Sequence, residues 1–333
     1  MDDSAFGTRN KRGDWTPNEP LRPAPVFVWP LRPLAALRWL PSYFLPWNVL
    51  FMGFAAVTWF WLTPSADTLR TLAPGWVLWI LLRNTVGVAL FYGLFQWHFY
   101  TRRRQGTAFK YEGKWPDGPN ETFLFKSQLK ENLLLTFVFG VPIWSAYEVL
   151  ALWAWANGVG AWTTFGANPL WLVGFGLLVP FIHELHFYLV HRLIHWGPLY
   201  RHIHSVHHNS VNPAPFSSLS MHPVEHLLYF SGVLLHLMLP SHPLLALYAL
   251  NFAGYGAVVG HIGFDRIVAG EGVAMDTHAY NHHLHHRYFE VNYSEGLVPF
   301  DRLFGTFHDG SKAGDAAMQA RFKAKRERAA RAR

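Results

Sequence analysis

Long apolar segments alternate with polar, charge-rich segments along the first 190 residues of the chain. A helix needs roughly 20 mostly apolar residues to cross the hydrocarbon core of a bilayer. Four segments meet this requirement and predict four transmembrane helices. They are residues 46–63, 75–97, 132–155 and 168–190.

A fifth apolar stretch runs from His226 to His261 and contains Pro240 and Pro243 near its middle. Because proline interrupts helices and each half is shorter than a full span, the pattern predicts two short helices, which either enter the membrane partway and return or lie in a bundle. The predicted fold is therefore an all-α integral membrane protein with about four transmembrane helices. The re-entrant pair and a cytosolic, histidine-rich helical cap complete it.

The distribution of Lys and Arg predicts the orientation of these helices. Residues 1–45 carry six and residues 101–131 carry seven, whereas the connections 64–74 and 155–167 carry one and none. By the positive-inside rule, both termini and the histidine-rich cap are expected on the cytosolic side. We expect a multi-pass protein of the bacterial inner membrane or the endoplasmic reticulum, with the bacterial membrane favoured.

The same boundaries divide the chain into four predicted parts. They are a cytosolic N-terminal segment (1–45), transmembrane helices one to three with a cytosolic loop at 101–131 (46–167), a catalytic region (168–310) and a basic C-terminal tail (311–333). The tail is interpreted either as a mobile, solvated terminus or as a contact for anionic lipid headgroups. No nucleic-acid partner is expected, because no companion basic surface or aromatic reading motif accompanies the tail.

Arg83 lies inside the second predicted span. A charged side chain at the centre of a span costs about 2.5–3.5 kcal/mol on insertion scales. We predict an ion pair between Arg83 and Glu148 on the third span. A polar cavity around Arg83 and a shifted span are the alternatives.

The histidine and cysteine content indicates that the predicted membrane protein also binds a metal. The chain has 20 histidines and no cysteine, and all histidines but one lie between His183 and His308. The absence of cysteine excludes iron–sulfur clusters, thiolate zinc sites and a disulfide scaffold. Any metal site must therefore use imidazole, which suits iron, zinc, copper and nickel.

Three histidine boxes share one helical spacing. They are His191 and His195, then His204, His207 and His208, then His282, His285 and His286. Positions i, i+3 and i+4 lie on one face of a helix, so eight imidazoles from three helices can converge. Because a zinc site takes about four ligands, this number predicts two metal ions close together.

Six pieces of sequence then carry a resemblance. They are FYLVHRLIH (187–195), IHSVHHNSVNP (203–213), HPVE (222–225), GHIGFD (260–265), HHLHHRYFEVNY (282–293) and PFDRLFGTFHDG (299–310). In this order they resemble the fatty acid hydroxylase/sterol desaturase superfamily of membrane di-iron oxygenases. The last two are most similar to the C5-sterol-desaturase (lathosterol oxidase)-like branch. Ser294 stands where relatives commonly carry Gly, which concerns the local turn.

The resemblance implies nine iron ligands and several neighbours. The ligands are His191, His195, His204, His207, His208, His261, His282, His285 and His286. His222 is a weaker candidate ligand, whereas His278 and His283 are expected to support the ligands or line the substrate cavity. Candidate hydrogen-bond acceptors for the ligands are Glu184, Glu225, Asp265 and Asp276. His183 and His186 are expected in helix packing or beside the ligands.

The resemblance also implies a reaction. Two iron ions, with O2 as co-substrate, would oxidise an unactivated C–H position of a sterol or fatty acyl chain, by hydroxylation or by desaturation. No catalytic residue beyond the metal centre is expected. Electrons would come from a separate ferredoxin or cytochrome b5-like protein with its reductase. Six aromatic residues are expected either to line the substrate cavity or to serve in ordinary packing and the interfacial belt: Trp59, Trp61, Phe91, Phe95, Trp97 and Trp144.

Two other classes of function compete with the oxygenase. A di-haem electron carrier needs about four histidines placed within spans, and its purified protein would show a Soret band. A metal transporter or storage protein would carry irregularly spaced histidines in a flexible loop and would show metal flux without substrate oxidation. The helical spacing of the boxes favours the oxygenase.

Overall fold

A computed structural model describes residues 2–270 and 272–331. The principal helices are α1 (Pro33–Phe44), α2 (Trp47–Leu62, ending in a π-helical turn), α3 (Pro74–Thr101), α4 (Gln128–Ala156), α5 (Pro169–Ile194), α6 (π-helical Tyr200–His204 and then Ser205–His208), α7 (Pro223–Phe230), α8 (Pro243–Gly260), α9 (Tyr280–Tyr288) and α10 (Lys312–Arg331). Short helical turns are Pro25–Phe27, Ala66–Leu69, Gly197–Leu199, Pro215–Leu219, Ser231–Leu234, Leu235–Met238 and Phe300–Leu303.

Four short strands form two antiparallel pairs, which the all-helical prediction did not include. Strands β1 (Gly7–Arg9) and β2 (Trp15–Pro17) pair near the N-terminus. Strands β3 (Arg266–Gly270) and β4 (Val273–Asp276) form a hairpin between α8 and α9. Both pairs lie outside the helical bundle, so the predicted fold class is confirmed.

Four helices in the described part of the chain are long and apolar enough to cross a membrane: α3, α4, α5 and α8. Helix α2, which corresponds to the first predicted span, passes this test only together with α1, and the two are bent by 43° at residues 45–46. Of the two arrangements predicted for the fifth apolar stretch, its second half adopts the one within the bundle, as the single continuous helix α8, which is itself long enough to span a membrane. Pro243 occupies the first turn of α8, where its missing N–H costs no hydrogen bond.

Helix α8 forms the centre of the bundle, and 72% of its residues are buried. It packs against α2, α4 and α5, with Phe51, Trp144 and Val258 in the shared core. Gly254 is required by one of these contacts, since a Cβ atom there would lie 2.3 Å from the ring of Trp144. The small residues of α8 let its neighbours approach closely and leave little space around the helix.

The predicted ion pair between α3 and α4 is confirmed. The Arg83 guanidinium donates to the carboxylate of Glu148, and both side chains are buried. Asn84 donates to the second carboxylate oxygen of Glu148 at 2.9 Å and to the hydroxyl of Ser145 at 3.1 Å. The charge inside the span is therefore compensated by a second charge and by two neutral polar groups.

Helices α3, α5 and α8 end, and α4 begins, at the same end of the bundle. There the Tyr100 hydroxyl donates to the carbonyls of Pro213 and Ile262, each at 2.9 Å. A cap covers this end and has its own hydrophobic core, with Trp15, Tyr111 and Phe264 among its buried members. Residues 2–20, which belong to the predicted N-terminal segment 1–45, thus form one wall of the cap.

Helix α10 contains most of the basic C-terminal tail, and its first half packs on the cap. Met318 is 5% exposed, Arg321 pairs with Glu290, and the Tyr288 hydroxyl donates to Asp315. The interpretation of this segment as a mobile, solvated terminus is therefore wrong as far as Lys325, which pairs with Glu290, whereas a contact of the tail with anionic lipid headgroups stays a prediction. Arg333 of the predicted tail lies outside the described residues.

Candidate metal centre

The nine predicted ligands converge into two groups at the capped end of the bundle. The first group is His191, His195, His204, His208 and His285, and the second is His207, His261, His282 and His286. Within each group, one ring nitrogen per residue lies within 4.8 Å of all the others. Eight of the nine side chains are buried, and His195 is partly buried.

The histidines of each box divide between the two groups in a regular way. Each i, i+4 pair serves one group, as His204 and His208 do in the first and His282 and His286 in the second. The remaining histidine of each HxxHH box, His207 or His285, belongs to the other group. Helices α6 and α9 therefore contribute to both groups, because two groups lie side by side across the same helix faces.

Hydrogen bonds at Nδ1 fix the ring orientation of four of these histidines. His204 Nδ1 lies 2.7 Å from a carboxylate oxygen of Glu225. The Nδ1 atoms of His191, His285 and His261 lie 2.7, 2.7 and 2.9 Å from backbone carbonyls, which belong to Tyr293, Val291 and Ala257. A histidine that donates from Nδ1 presents the lone pair of Nε2, which is the arrangement of metal-ligating histidines.

The Nε2 atoms point into the two groups. They are 3.1–3.3 Å apart among His195, His208 and His285. The buried Nε2 atoms of His191 and His204 have no hydrogen-bond partner in the described part of the chain. An unpaired buried acceptor costs free energy, and a metal ion at the centre of the first group would satisfy both atoms.

Burial keeps these imidazoles neutral, as metal ligation requires. Removal from water lowers the pKa of His285 to about 3 and that of His261 to about 4. The pKa of His204 lies well below its ordinary value, first because of burial and then because of the neighbouring imidazoles. The donor chemistry therefore fits iron or another metal ion that accepts nitrogen ligands.

Sequence comparison identifies the region that holds both groups. The fatty acid hydroxylase family matches residues 176–306, which include all nine histidines. These residues, here called the fatty acid hydroxylase region, are similar to that family. The resemblance expected from the six sequence pieces is confirmed.

Several relatives of the fatty acid hydroxylase region are named as sterol enzymes. The Delta(7)-sterol 5(6)-desaturase of Saccharomyces cerevisiae is 35% identical over 36% of this chain and 32% of its own length. The corresponding enzyme of Candida glabrata is 30% identical over 44% of this chain and 39% of its own. Methylsterol monooxygenase erg25A of Aspergillus fumigatus is 34% identical over 44% and 49%. The matches thus span a third to half of these relatives, and no solved structure matches the chain.

A loop in the fatty acid hydroxylase region supplies two of the carbonyls that orient the histidines, and Asp301 holds this loop. Its buried carboxylate accepts from the backbone N–H groups of Tyr293 and Ser294 at 2.9 and 2.8 Å. It also accepts from the hydroxyls of Ser294 and Thr306, each at 2.6 Å. Ser294 thus takes part in the turn, without the positive φ that would require glycine.

The remaining histidines named from the sequence lie outside both groups. His222 begins α7, where its Nδ1 accepts from the N–H of Val224 at 3.2 Å. His278 lies beside Asp276, with 3.2 Å between Nδ1 and a carboxylate oxygen, and lines the cavity described below. His283 stacks on Tyr111 in the core of the cap.

The two histidines earlier on α5 contact polar groups of other segments. His183 Nε2 lies 3.6 Å from a carboxylate oxygen of Glu295. His186 Nε2 lies 3.0 Å from the hydroxyl of Ser231. Neither contributes to the two groups of donors.

Of the four carboxylates considered as acceptors, only Glu225 contacts one of the nine histidines. Glu184 accepts from the N–H of Gly296 at 2.9 Å. Asp265 accepts from the hydroxyl of Tyr111 at 3.0 Å, and Asp276 pairs with His278. The carbonyls of Tyr293, Val291 and Ala257 take the place that the sequence suggested for carboxylates. The sequence gives no signal for them, since every residue carries a carbonyl.

Replacing Glu225 with alanine is expected to lower the affinity for iron by roughly 10–100-fold, because His204 loses the group that orients its ring. Competition with a chelator on the purified protein measures this change. Glu225→Gln should restore most of the affinity, because its amide oxygen can accept the same hydrogen bond. Glu290→Ala, which removes only ion pairs near the surface, is the control. Equal affinity in Glu225→Ala and Glu290→Ala would contradict this role.

A cavity of about 410 Å³ adjoins both groups of histidines. Its wall includes His191 and His204 of the first group and His207, His261 and His282 of the second. Its apolar wall is formed by Trp39, Tyr43, Trp47, Phe51, Phe187 and Phe252. The expectation for the cavity lining is wrong, because none of the six aromatic residues named from the sequence lies on this wall. Trp144, for example, is buried in the bundle core, and Trp61 is 73% exposed.

Proposed function

We propose that this protein is an O2-dependent di-iron membrane oxidoreductase that hydroxylates or desaturates an unactivated C–H position of a lipid. The observation that carries the proposal is the pair of buried, imidazole-only groups, both of which open onto one aromatic cavity. The names of the relatives support a sterol or another membrane lipid as substrate. They include both a desaturase and a monooxygenase, so both reaction outcomes stay within the proposal.

The donor set of the first group favours iron over structural zinc. The first group offers five imidazoles, one more than the tetrahedral set of structural zinc. His191, His195, His204, His207, His208, His261, His282, His285 and His286 are the proposed ligands. When bound there, iron supplies the activation of O2 that oxidation of an unactivated C–H bond requires.

The chain's own residues bind, position and shield the substrate. The aromatic wall around Phe187 and Phe252 excludes water and holds an apolar chain or ring system beside the imidazoles. Hydroxylation consumes one O2, two electrons and two protons per substrate and releases one water. The two electrons would come from a separate ferredoxin or cytochrome b5-like protein with its reductase, since the chain has no cysteine for an iron–sulfur cluster.

The topology is also part of the proposal. Residues 168–310 are the catalytic region, and the cap and both termini face the cytosol. The four apolar helices support a multi-pass membrane protein. The eukaryotic origin of the relatives favours the endoplasmic reticulum over the bacterial inner membrane as the host membrane.

The two competing functions fit the donor geometry less well. Axial ligation of two haems uses histidines that face each other across spans, whereas the two groups converge at the capped end of the bundle. A metal carrier with a flexible histidine loop would expose its donors to water. Here eight of the nine imidazoles are buried and four are oriented by hydrogen bonds from Nδ1.

The test is oxidation of lipids in a host of defined lipid composition. The intact protein is expected to add one oxygen atom to a host lipid or sterol or to remove two hydrogen atoms from it, as seen by mass spectrometry. The variant His207→Ala/His208→Ala, which loses one donor from each group, should give the profile of the empty host. His202→Ala, an exposed histidine of the same helix, should retain the product. Identical profiles in all hosts, with zinc and no iron bound, would overturn the proposal.

A further inference from the structure

A large apolar surface precedes the first spanning helix. It consists of residues 25–45, here called the entry segment. Trp29 is 90% exposed, and Leu34 and Leu37 are 60% and 62% exposed. Exposed apolar patches of this kind mark contact with protein, ligand or membrane.

The charge of the entry segment points to a lipid leaflet as the occupant of this surface. No acidic residue lies between Glu19 and Asp67, and the segment carries Arg32 and Arg38, both exposed. Apolar side chains interspersed with Arg are typical of helices that lie in the interface of anionic membranes. The segment also continues directly into α2, with which α1 forms the bent candidate span.

Both ends of the entry segment contact the middle of α5. The rings of Phe27 and Tyr43 lie 6.2 and 5.4 Å from that of Phe181, measured between centroids. The Tyr43 hydroxyl donates to the carbonyl of Leu177 at 2.5 Å. Because Leu177 and Phe181 belong to a spanning helix, the entry segment meets the bundle at the depth of the membrane. Between these ends, Trp29, Leu34 and Leu37 are exposed.

The same segment is one wall of the cavity beside the histidines. Trp39, Ser42 and Tyr43 line the cavity from α1, and Pro180 and Glu184 line it from α5. The boundary between α1 and α5 therefore separates the cavity from the surface on which Trp29 and Leu34 are exposed. A lipid that crosses this boundary reaches the imidazoles without passing through water.

We propose that the entry segment lies within the cap-side leaflet of the bilayer and that membrane lipids enter the cavity between α1 and α5. Its membrane contact stands by itself, whereas the passage of an oxidisable substrate rests on the proposed function. At this boundary the ring of Tyr43 on α1 lies against that of Phe181 on α5, and the Tyr43 hydroxyl donates to the carbonyl of Leu177.

The absence of cysteine from the chain makes the membrane contact directly measurable. Trp29→Cys and Leu34→Cys can each be labelled with one environment-sensitive fluorophore in the full-length protein. The protein is then placed in vesicles of phosphatidylcholine and phosphatidylglycerol that contain spin-labelled phospholipid. Both probes should be quenched several-fold more strongly than a probe at Thr122→Cys, in the loop between α3 and α4. Equal quenching at all three positions, or disulfide-linked dimers through Cys at position 29, would overturn the proposal.

The route is tested at Ser42, which lies on the cavity side of α1. A small fluorophore at Ser42→Cys should be quenched by spin-labelled lipid, because that lipid enters the cavity. A bulky maleimide at the same position should reduce lipid oxidation at least several-fold with unchanged iron content. The matched control is Val49→Cys, an exposed position of α2 that is modified in the same way. Absence of quenching at position 42 would overturn the route. Quenching without any lipid oxidation by the unmodified protein would leave the route intact and contradict the proposed function.

Discussion

Substituting His204 or His207 with alanine is expected to lower bound iron from about two ions per chain to about one or fewer, because each removes a donor from a different group. The loss of affinity should exceed the roughly 10–100-fold that follows from removing an outer hydrogen-bond partner. Oxidation of lipid should fall to background in both variants. Elemental analysis of the purified protein, together with the lipid assay, measures the two effects.

The matched control lies on the same helix. His202 is exposed and belongs to neither group, so His202→Ala should keep both the iron content and the activity of the unmodified protein. Retention of two ions in either His204→Ala or His207→Ala would contradict the assignment of that residue as a ligand. Equal losses in all three variants would indicate an effect on the folding of α6 instead of on coordination.

Removing one partner of the ion pair in the bundle should strongly destabilise the protein. Arg83 lies roughly 14 Å along the axis of α3 from its first residue, well inside the span. Glu148→Ala leaves the Arg83 guanidinium buried without a compensating charge, which costs about 3–5 kcal/mol. Arg83→Ala leaves the carboxylate hydrogen-bonded only to Asn84. Denaturant titration of the purified protein in detergent measures the loss in the free energy of unfolding for both variants.

The double variant Arg83→Met/Glu148→Leu provides the critical comparison. Because replacing a buried pair with apolar residues of similar size is often neutral, it should recover most of the stability lost in the single variants. The coupling between the two sites then appears as a departure from additivity when Arg83→Met and Glu148→Leu are also measured singly. If the losses of the single variants simply add, the two side chains do not act as a pair. Arg70→Ala, which removes an exposed ion pair with Asp67, should change stability by less than about 1 kcal/mol.

The spacing of histidines carried most of the information about the site. The i, i+3, i+4 pattern depends only on helix geometry, so it predicts which imidazoles can share a face. It does not determine that His207 belongs with His261 while its neighbour His208 belongs with His285. That division depends on how α6 and α9 are rotated against each other, which is set by packing across the whole cap.

The charged residues of the bundle predicted its structure more completely than the prolines did. Arg83 predicted its partner, since a buried charge in a span requires compensation. Pro240 and Pro243 predicted a break, but the same residues permit either a short helix or the start of a long one. The small residues that let α8 pack at the centre of the bundle decide between these structures. Likewise, the basic composition of the tail did not reveal that Met318 anchors α10 on the cap.

Helices α6 and α9 each supply donors to both groups of histidines, and this sharing couples the two centres thermodynamically. A rotation of either helix about its axis displaces ligands of both centres together. Binding of the first ion therefore includes the free-energy cost of ordering the two helices. The second ion binds to donors that are already oriented. By linkage, the coupling is reciprocal. The singly loaded protein should be the scarce species, with most molecules carrying either both ions or neither.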